Sequence, residues 1–249
     1  MGYLISSGKY FASLGAVPFS AYGERIATGA ETSRVVWPNG TFIIPSSSGI
    51  QIAISSDSAN DAAAGTGMRS VHIHYLQAVT LEEKTEVVTL NGVTPVNTVA
   101  TDIRFIQCMH MVEYGTGKVA AGNISAKDTG GTNTYSYISA GTKRCSSSAR
   151  MVPGGKVGYV MGAVGGSISS TADAGVILRM GTSYFEGHDY TDDAVLIDNV
   201  AIPIQNSSIA YRFPMPLGPI PEGTIIGILG QTDKAATIGA SWFGWYENA

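Results

Sequence analysis

Hydrophobic and polar residues alternate along several short stretches of the chain, which is the pattern of half-buried β-strands. Residues 69–75 place apolar side chains on one strand face and polar side chains on the other. A second β-rich run covers residues 103–112, and Asn91-Gly92 stands between two apolar runs. Asn-Gly in that setting is a strong hairpin signal, because both residues tolerate positive φ. We therefore predict strands and tight turns here.

The remainder of the chain repeats this pattern at intervals of about eight to twelve residues, with glycine or proline between the runs, as in β-sandwiches and barrels. Further strands are predicted at 134–139, 149–152, 157–164, 174–180, 194–197, 200–204, 208–213, 224–229 and 236–246. The proline-rich segment 214–222 is expected to be a loop or an edge strand. The predicted fold is all-β, an antiparallel, jelly-roll-like β-sandwich that is either one unit or two packed β subdomains.

Turn-forming residues suggest how the chain is divided. Residues 12–40 have a turn-like composition, and residues 126–133 consist largely of turn formers. We predict an extended N-terminal arm at 1–40, a first β-sandwich region at 41–126 and a second at 134–249.

The charge content narrows the function classes. Only 14% of the residues are charged, against about 25% in an ordinary soluble domain. With 44% hydrophobic residues and a net charge of −4, the chain is not disordered and does not suit a nucleic-acid partner. The chain contains no run of 18 apolar residues, so no membrane span is predicted.

Four residues could hold a metal if two predicted strands were neighbours. His72 and His74 share one strand face, and Cys108 and His110 share another. All four are zinc-ligand types. Because their spacing is not that of a zinc knuckle, we favour polar-face histidines and a buried cysteine, and we predict no metal.

The chain carries none of the common catalytic motifs, including the nucleophile elbow, the phosphate-binding loop and the zinc-protease motif. We predict no catalytic residues, no cofactor and no enzymatic activity. A hydrolase that acts on a cell-surface polymer is a hypothesis that ranks below two non-enzymatic functions. Aromatic residues are concentrated near the C-terminus. Trp242, Trp245 and Tyr246 either fill the core or contact a glycan or a partner, and core packing is favoured.

One segment resembles a known family. Residues 54–71, ISSDSANDAAAGTGMRSV, are similar to a small-residue loop and strand that recur in virion proteins of tailed bacteriophages. Residues 86–96, Arg104 and residues 122–124 continue the resemblance, whereas residues 76–80 depart from it. Looser similarities follow at 152–156, 176–179 and 220–223.

The resemblance implies a β-sandwich structural component of the virion and supplies no catalytic residues. We predict a protein on the capsid exterior that binds itself, as a homo-oligomer such as a trimer, and other virion proteins such as the major capsid protein. Low charge fits such a role, since interface cores are depleted in charged residues. The alternative is a tail or fibre component that binds a host-surface glycan.

Overall fold

A computed structural model describes residues 16–168, 175–183, 195–196, 202–204 and 208–249, and the regular structure in these ranges is entirely β. The strands are β1 Val17–Ala27, β2 Glu31–Val35, β3 Ile52–Ser56, β4 Met68–Gln77, β5 Glu83–Thr89, β6 Val96–Asn97, β7 Ile103–Tyr114, β8 Ile124–Asp128, β9 Thr134–Ile138, β10 Arg150–Met151, β11 Lys156–Ile168, β12 Val176–Ser183, β13 Val195–Leu196, β14 Ile202–Ile204, β15 Ser208–Ile220, β16 Ile225–Thr232 and β17 Ala236–Asn248. No helix of these ranges is long and apolar enough to cross a membrane.

The strands pair antiparallel, which confirms the predicted all-β, antiparallel class. Two sheets have the strand orders β6-β3-β8-β9 and β5-β4-β7. A third has the order β1-β17-β11-β15. The fourth runs β10-β16-β12-β13, with β14 beside β12 and β2 beside β16.

Apolar side chains from these sheets form two main cores. The first contains residues of β1, β11, β12, β15, β16 and β17, with Trp242 fully buried in it. The second contains residues of β3, β4, β5, β7, β8 and β9, and it includes Cys145. A third cluster, which includes Trp37 and Phe105, combines residues from both halves of the sequence.

The predicted N-terminal arm contains two strands within its described part. β1 pairs with β17 from Val17↔Tyr246 to Ala27↔Ala236, and β2 pairs with β16. Residues 1–15 lie outside the described ranges. The division of the chain into an arm and two regions stays a prediction, but residues 17–35 already belong to the sheets of the C-terminal half.

Three local predictions meet different outcomes. Gly92 has the positive φ of a turn, but β5 pairs with β4 while β6 pairs with β3, so the hairpin prediction was wrong. Residues 126–133 contain the end of β8 and the connection to β9, its neighbour in the same sheet. The proline-rich segment largely belongs to β15, which ends its sheet among the described strands and so meets the edge-strand expectation.

Candidate functional site

The loop between β3 and β4 is organised around one buried carboxylate. Asp61 is fully buried, and its Oδ1 accepts hydrogen bonds from the backbone N–H groups of Met68 and Ala121 at 2.7 and 2.9 Å. Its Oδ2 accepts from the Ser56 hydroxyl at 2.6 Å and from the Gly122 N–H at 2.9 Å. Four donors compensate the burial of this group, so Asp61 holds the loop to its neighbours.

Glycines in this loop and just after β7 allow the backbones to approach closely. A Cβ at Gly65 would lie 2.1 Å from the carbonyl oxygen of Asn60, and one at Gly115 would lie 2.2 Å from the carbonyl oxygen of Gly65. Gly67 would place a Cβ 2.2 Å from Asp61 Oδ1. These separations exclude a side chain, so the small residues of the motif have a packing role.

Two of the three C-terminal aromatic candidates lie in the core and cannot contact a glycan or a partner there. Trp242 is fully buried, and its indole N–H donates to the carbonyl oxygen of Ser148. Tyr246 is 5% exposed and stacks on Phe19 with ring centroids 3.9 Å apart. Burial raises the pKa of Tyr246 well above its ordinary value. Alternation along β17 places both side chains inward.

Trp245 lies on the other face of β17 and is half-buried. Its ring stacks on Tyr159 of β11, with ring centroids 5.1 Å apart and planes 15° apart. The two residues are register partners on neighbouring strands. Of the three predicted contact residues, Trp245 is the one that remains partly accessible.

Three histidines converge on one side of the sheet β5-β4-β7. His72 and His74 are two positions apart on β4, and His110 on β7 is the register partner of His72. The ring centroids are 4.4 Å apart for His72 and His74, 5.0 Å for His72 and His110, and 5.2 Å for His74 and His110. One ring nitrogen from each lies within 4.8 Å of the others. All three side chains are half-exposed.

Local electrostatics favour the neutral imidazole at His74 and His110. Burial, and the positive charge that His72 would carry, hold the pKa of His110 below its ordinary value. The pKa of His74 is lowered by burial first, and also by the charges of His72, His110 and Arg150. Neutral imidazole is the form that ligates metals or accepts protons.

Cys108 does not join the histidines, although it is the register partner of His74. Its sulfur lies 3.6 Å from that of the buried Cys145, and both cysteines are free thiols. The hydrogen bond between these sulfurs raises the pKa of Cys108 and lowers the pKa of Cys145 to about 6. The backbone N–H of Met109, which lies 3.3 Å from the Cys145 sulfur, also lowers the pKa of Cys145. The arrangement of four ligands considered from the sequence is therefore wrong in including Cys108.

Two of these features were not found from the sequence. Only one feature of the sequence indicated the structural role of Asp61, namely that this aspartate lies among residues with very small side chains. The pairing of Cys108 with Cys145 had none, because the two residues are distant in sequence and meet only through the tertiary fold.

No protein-family model and no curated protein matches the chain. Among solved structures, one chain of "Structure of infectious bursal disease virus Gx strain" is 11% identical, with 94% of this chain and 77% of that chain covered and a TM-score of 0.21. A chain of T=1 particles derived from infectious bursal virus is 9% identical, with 94% and 74% covered and a TM-score of 0.17. Such TM-scores do not show a shared fold.

Proposed function

We propose that this protein is a non-enzymatic structural component of a virus particle, located on the capsid exterior of a tailed bacteriophage, with its sheets packed as a jelly-roll-like sandwich. The observation that carries the proposal is the phage-like segment at 54–71, in which Ser56 and Met68 donate to the buried Asp61 carboxylate. A loop built in this way stabilises a scaffold rather than binding a substrate.

The described surface supports a role in assembly. Large apolar side chains remain exposed at many separate positions. They are Val17, Tyr22, Ile26, Val79, Val87, Val93, Val99, Val112, Tyr114, Val164 and Met215. β1 and β15 also end their sheet among the described strands. The outer edge of β1 carries a single bridge, Tyr22↔Ser147, and no neighbouring strand in the described part of the chain. Unpaired edges and apolar, charge-poor surface are features that neighbouring subunits cover in assemblies.

The location is tested on purified particles. Antibody labelling with electron microscopy should place the protein on the shell, and light scattering of the purified chain should give a closed homo-oligomer such as a trimer. An Ile26→Lys variant should weaken self-association, since Ile26 on β1 is 68% exposed and apolar. Ser20→Lys, at an exposed polar position on the same strand, is the matched control. Absence from the particle would contradict the proposal.

Attachment through an N-terminal arm is tested with a shorter deletion than the predicted arm. Deleting residues 1–40 would remove β1 and β2 and so damage two sheets. Deleting residues 1–15 leaves both strands in place. We expect the shorter deletion to abolish attachment to particles while the chain keeps its thermal unfolding midpoint; unchanged occupancy on particles would contradict an anchoring arm.

A second candidate function is glycan binding by a tail or fibre component, favoured by the stacked Trp245–Tyr159 pair. Aromatic faces of this kind stack on sugar rings. A glycan array should then give hits that Trp245→Ala removes. Tyr114→Ala, which truncates an aromatic side chain 49% exposed elsewhere, should leave them unchanged. An array without hits would contradict this function.

A further inference from the structure

We propose that His72, His74 and His110 form a Zn²⁺-binding site on the sheet β5-β4-β7. The inference goes beyond the proposed function and does not depend on it, because it uses only the geometry of these side chains. One ring nitrogen from each histidine already lies within 4.8 Å of the other two. Three ligands from two neighbouring strands therefore point toward a common position.

The strand register creates this convergence. Residues two positions apart on a strand share a face, which brings His72 and His74 together. His110 comes from the neighbouring strand as the register partner of His72, and directly opposed residues have Cβ atoms about 4.5–5.5 Å apart. Backbone pairing therefore holds the three Cα positions in place before any metal binds.

A modest side-chain movement closes the site. Zn–N bonds are about 2.0–2.1 Å long, so nitrogens in a tetrahedral site are about 3.3 Å apart. The histidine nitrogens must therefore approach one another by about 1.5 Å at most, relative to their 4.8 Å limit. Half-exposed imidazoles can make this movement by rotating about their side-chain bonds, without a change of strand register.

The ligand set favours zinc over hard cations. Imidazole nitrogens suit Zn²⁺ and other transition metals, whereas Mg²⁺ and Ca²⁺ prefer oxygen ligands. Three protein ligands leave the fourth tetrahedral position for water, which half-exposed side chains permit. Cys108 is excluded because its sulfur contacts Cys145 instead.

A neighbouring cation sets the expected strength of binding. The positive charge of Arg150 acts on His74, and it repels a metal cation bound to that imidazole. We therefore expect Zn²⁺ to bind in competition with this charge, and more tightly as added salt screens it.

The test is a titration of the metal-stripped, full-length chain with Zn²⁺ by isothermal calorimetry, followed by Co²⁺ substitution. We expect about one equivalent of Zn²⁺, and a Co²⁺ absorption spectrum typical of tetrahedral coordination. His74→Gln and His110→Gln should each weaken binding more than the 10–100-fold loss typical of an outer-shell partner. Circular dichroism and thermal unfolding establish that each variant is folded.

Matched controls identify the ligands. Val87→Ala changes the register partner of His72 on β5, and Cys108→Ser changes the sulfur; neither should alter binding more than twofold. His188→Gln, at the chain's fourth histidine, which lies outside the described residues, should also leave binding unchanged. Binding well below one equivalent, or full binding by a folded His72→Gln/His74→Gln/His110→Gln variant, would overturn the proposal.

Discussion

The backbone N–H of Met68 donates to Asp61 Oδ1 across 2.7 Å, tying the start of β4 to the loop that precedes it. The same carboxylate also receives the N–H groups of Ala121 and Gly122, about sixty residues further along the chain. One side chain therefore connects the loop before β4 with the residues that precede β8.

Replacing Asp61 should destabilise the fold strongly. Asp61→Ala leaves several buried donors without partners, each costing about 1–3 kcal/mol, so we expect a loss of at least about 3 kcal/mol. Urea unfolding measures the change. Asp57→Ala is the control, because Asp57 is exposed and bonds only Asn123 among the described residues; it should cost about 1 kcal/mol. Equal effects would contradict the central role of Asp61.

Adding a methyl group at Gly65 should also destabilise the loop. The new Cβ would meet the carbonyl oxygen of Asn60 at 2.1 Å, and backbone atoms cannot move away as a flexible side chain can. We expect Gly65→Ala to cost about 1–3 kcal/mol in thermal or urea unfolding. Gly29→Ala places its Cβ in open space and should change stability by less than about 0.5 kcal/mol. A neutral Gly65→Ala would show that the close approach is not needed.

The two tryptophans of β17 should differ in their contribution to stability. Trp242→Ala empties a fully buried position and should cost about 3–5 kcal/mol. Trp245→Ala removes a half-buried ring stacked on Tyr159 and should cost about 1 kcal/mol. Chemical denaturation of the two variants in parallel measures the difference. Similar losses would contradict the inward and outward placement of the two rings.

The β8–β9 connection should make stability depend on pH in the acid range. Burial acts to raise the pKa of Asp128, but the backbone N–H groups of Thr132 and Asn133, at 2.8 and 2.9 Å, lower it below its ordinary value. The unfolded chain therefore binds a proton more readily at this residue than the folded chain does. The stabilising contribution of the ionised Asp128 carboxylate is complete above about pH 3.9, the pKa of an aspartate in the unfolded chain. This contribution is lost as the pH falls through the lower pKa of Asp128 in the folded chain.

The measurement is the urea midpoint at pH 5, 4, 3 and 2. Asp128→Asn cannot titrate, so the variant should lose less stability over this range than the unchanged chain does. Thr129→Ala, at an exposed position next to Asp128 with no titrating group, is the control and should show the same pH dependence as the unchanged chain. Parallel curves for all three proteins would contradict the assignment.

Local pattern could predict strands but not their partners. The alternation at 69–75 identified β4. The β-rich run at 103–112 identified β7, whose first five residues are all buried. The Asn91-Gly92 turn looked like a hairpin, yet β5 and β6 pair with other strands. Pairing depends on contacts between distant segments, which a single sequence does not display.

The same limit applies to the histidines. The sequence showed that His72 and His74 share a face, and that they would meet His110 only if their strands were neighbours. The register of β4 against β7 supplied that condition, and it also placed Cys108 opposite His74. The contact of the Cys108 sulfur with Cys145 is what separates it from the histidines. A spacing rule could not have distinguished the three-histidine cluster from the four-ligand one.

The pairing of β1 with β17 has a consequence for synthesis. The two strands are separated by about 200 residues, and a ribosome adds about 5–20 residues per second. β1 therefore emerges about 10–40 seconds before its partner is translated. During that interval its apolar face and unpaired backbone are open to other nascent chains, so the last strand to be made decides when the first one is protected from aggregation.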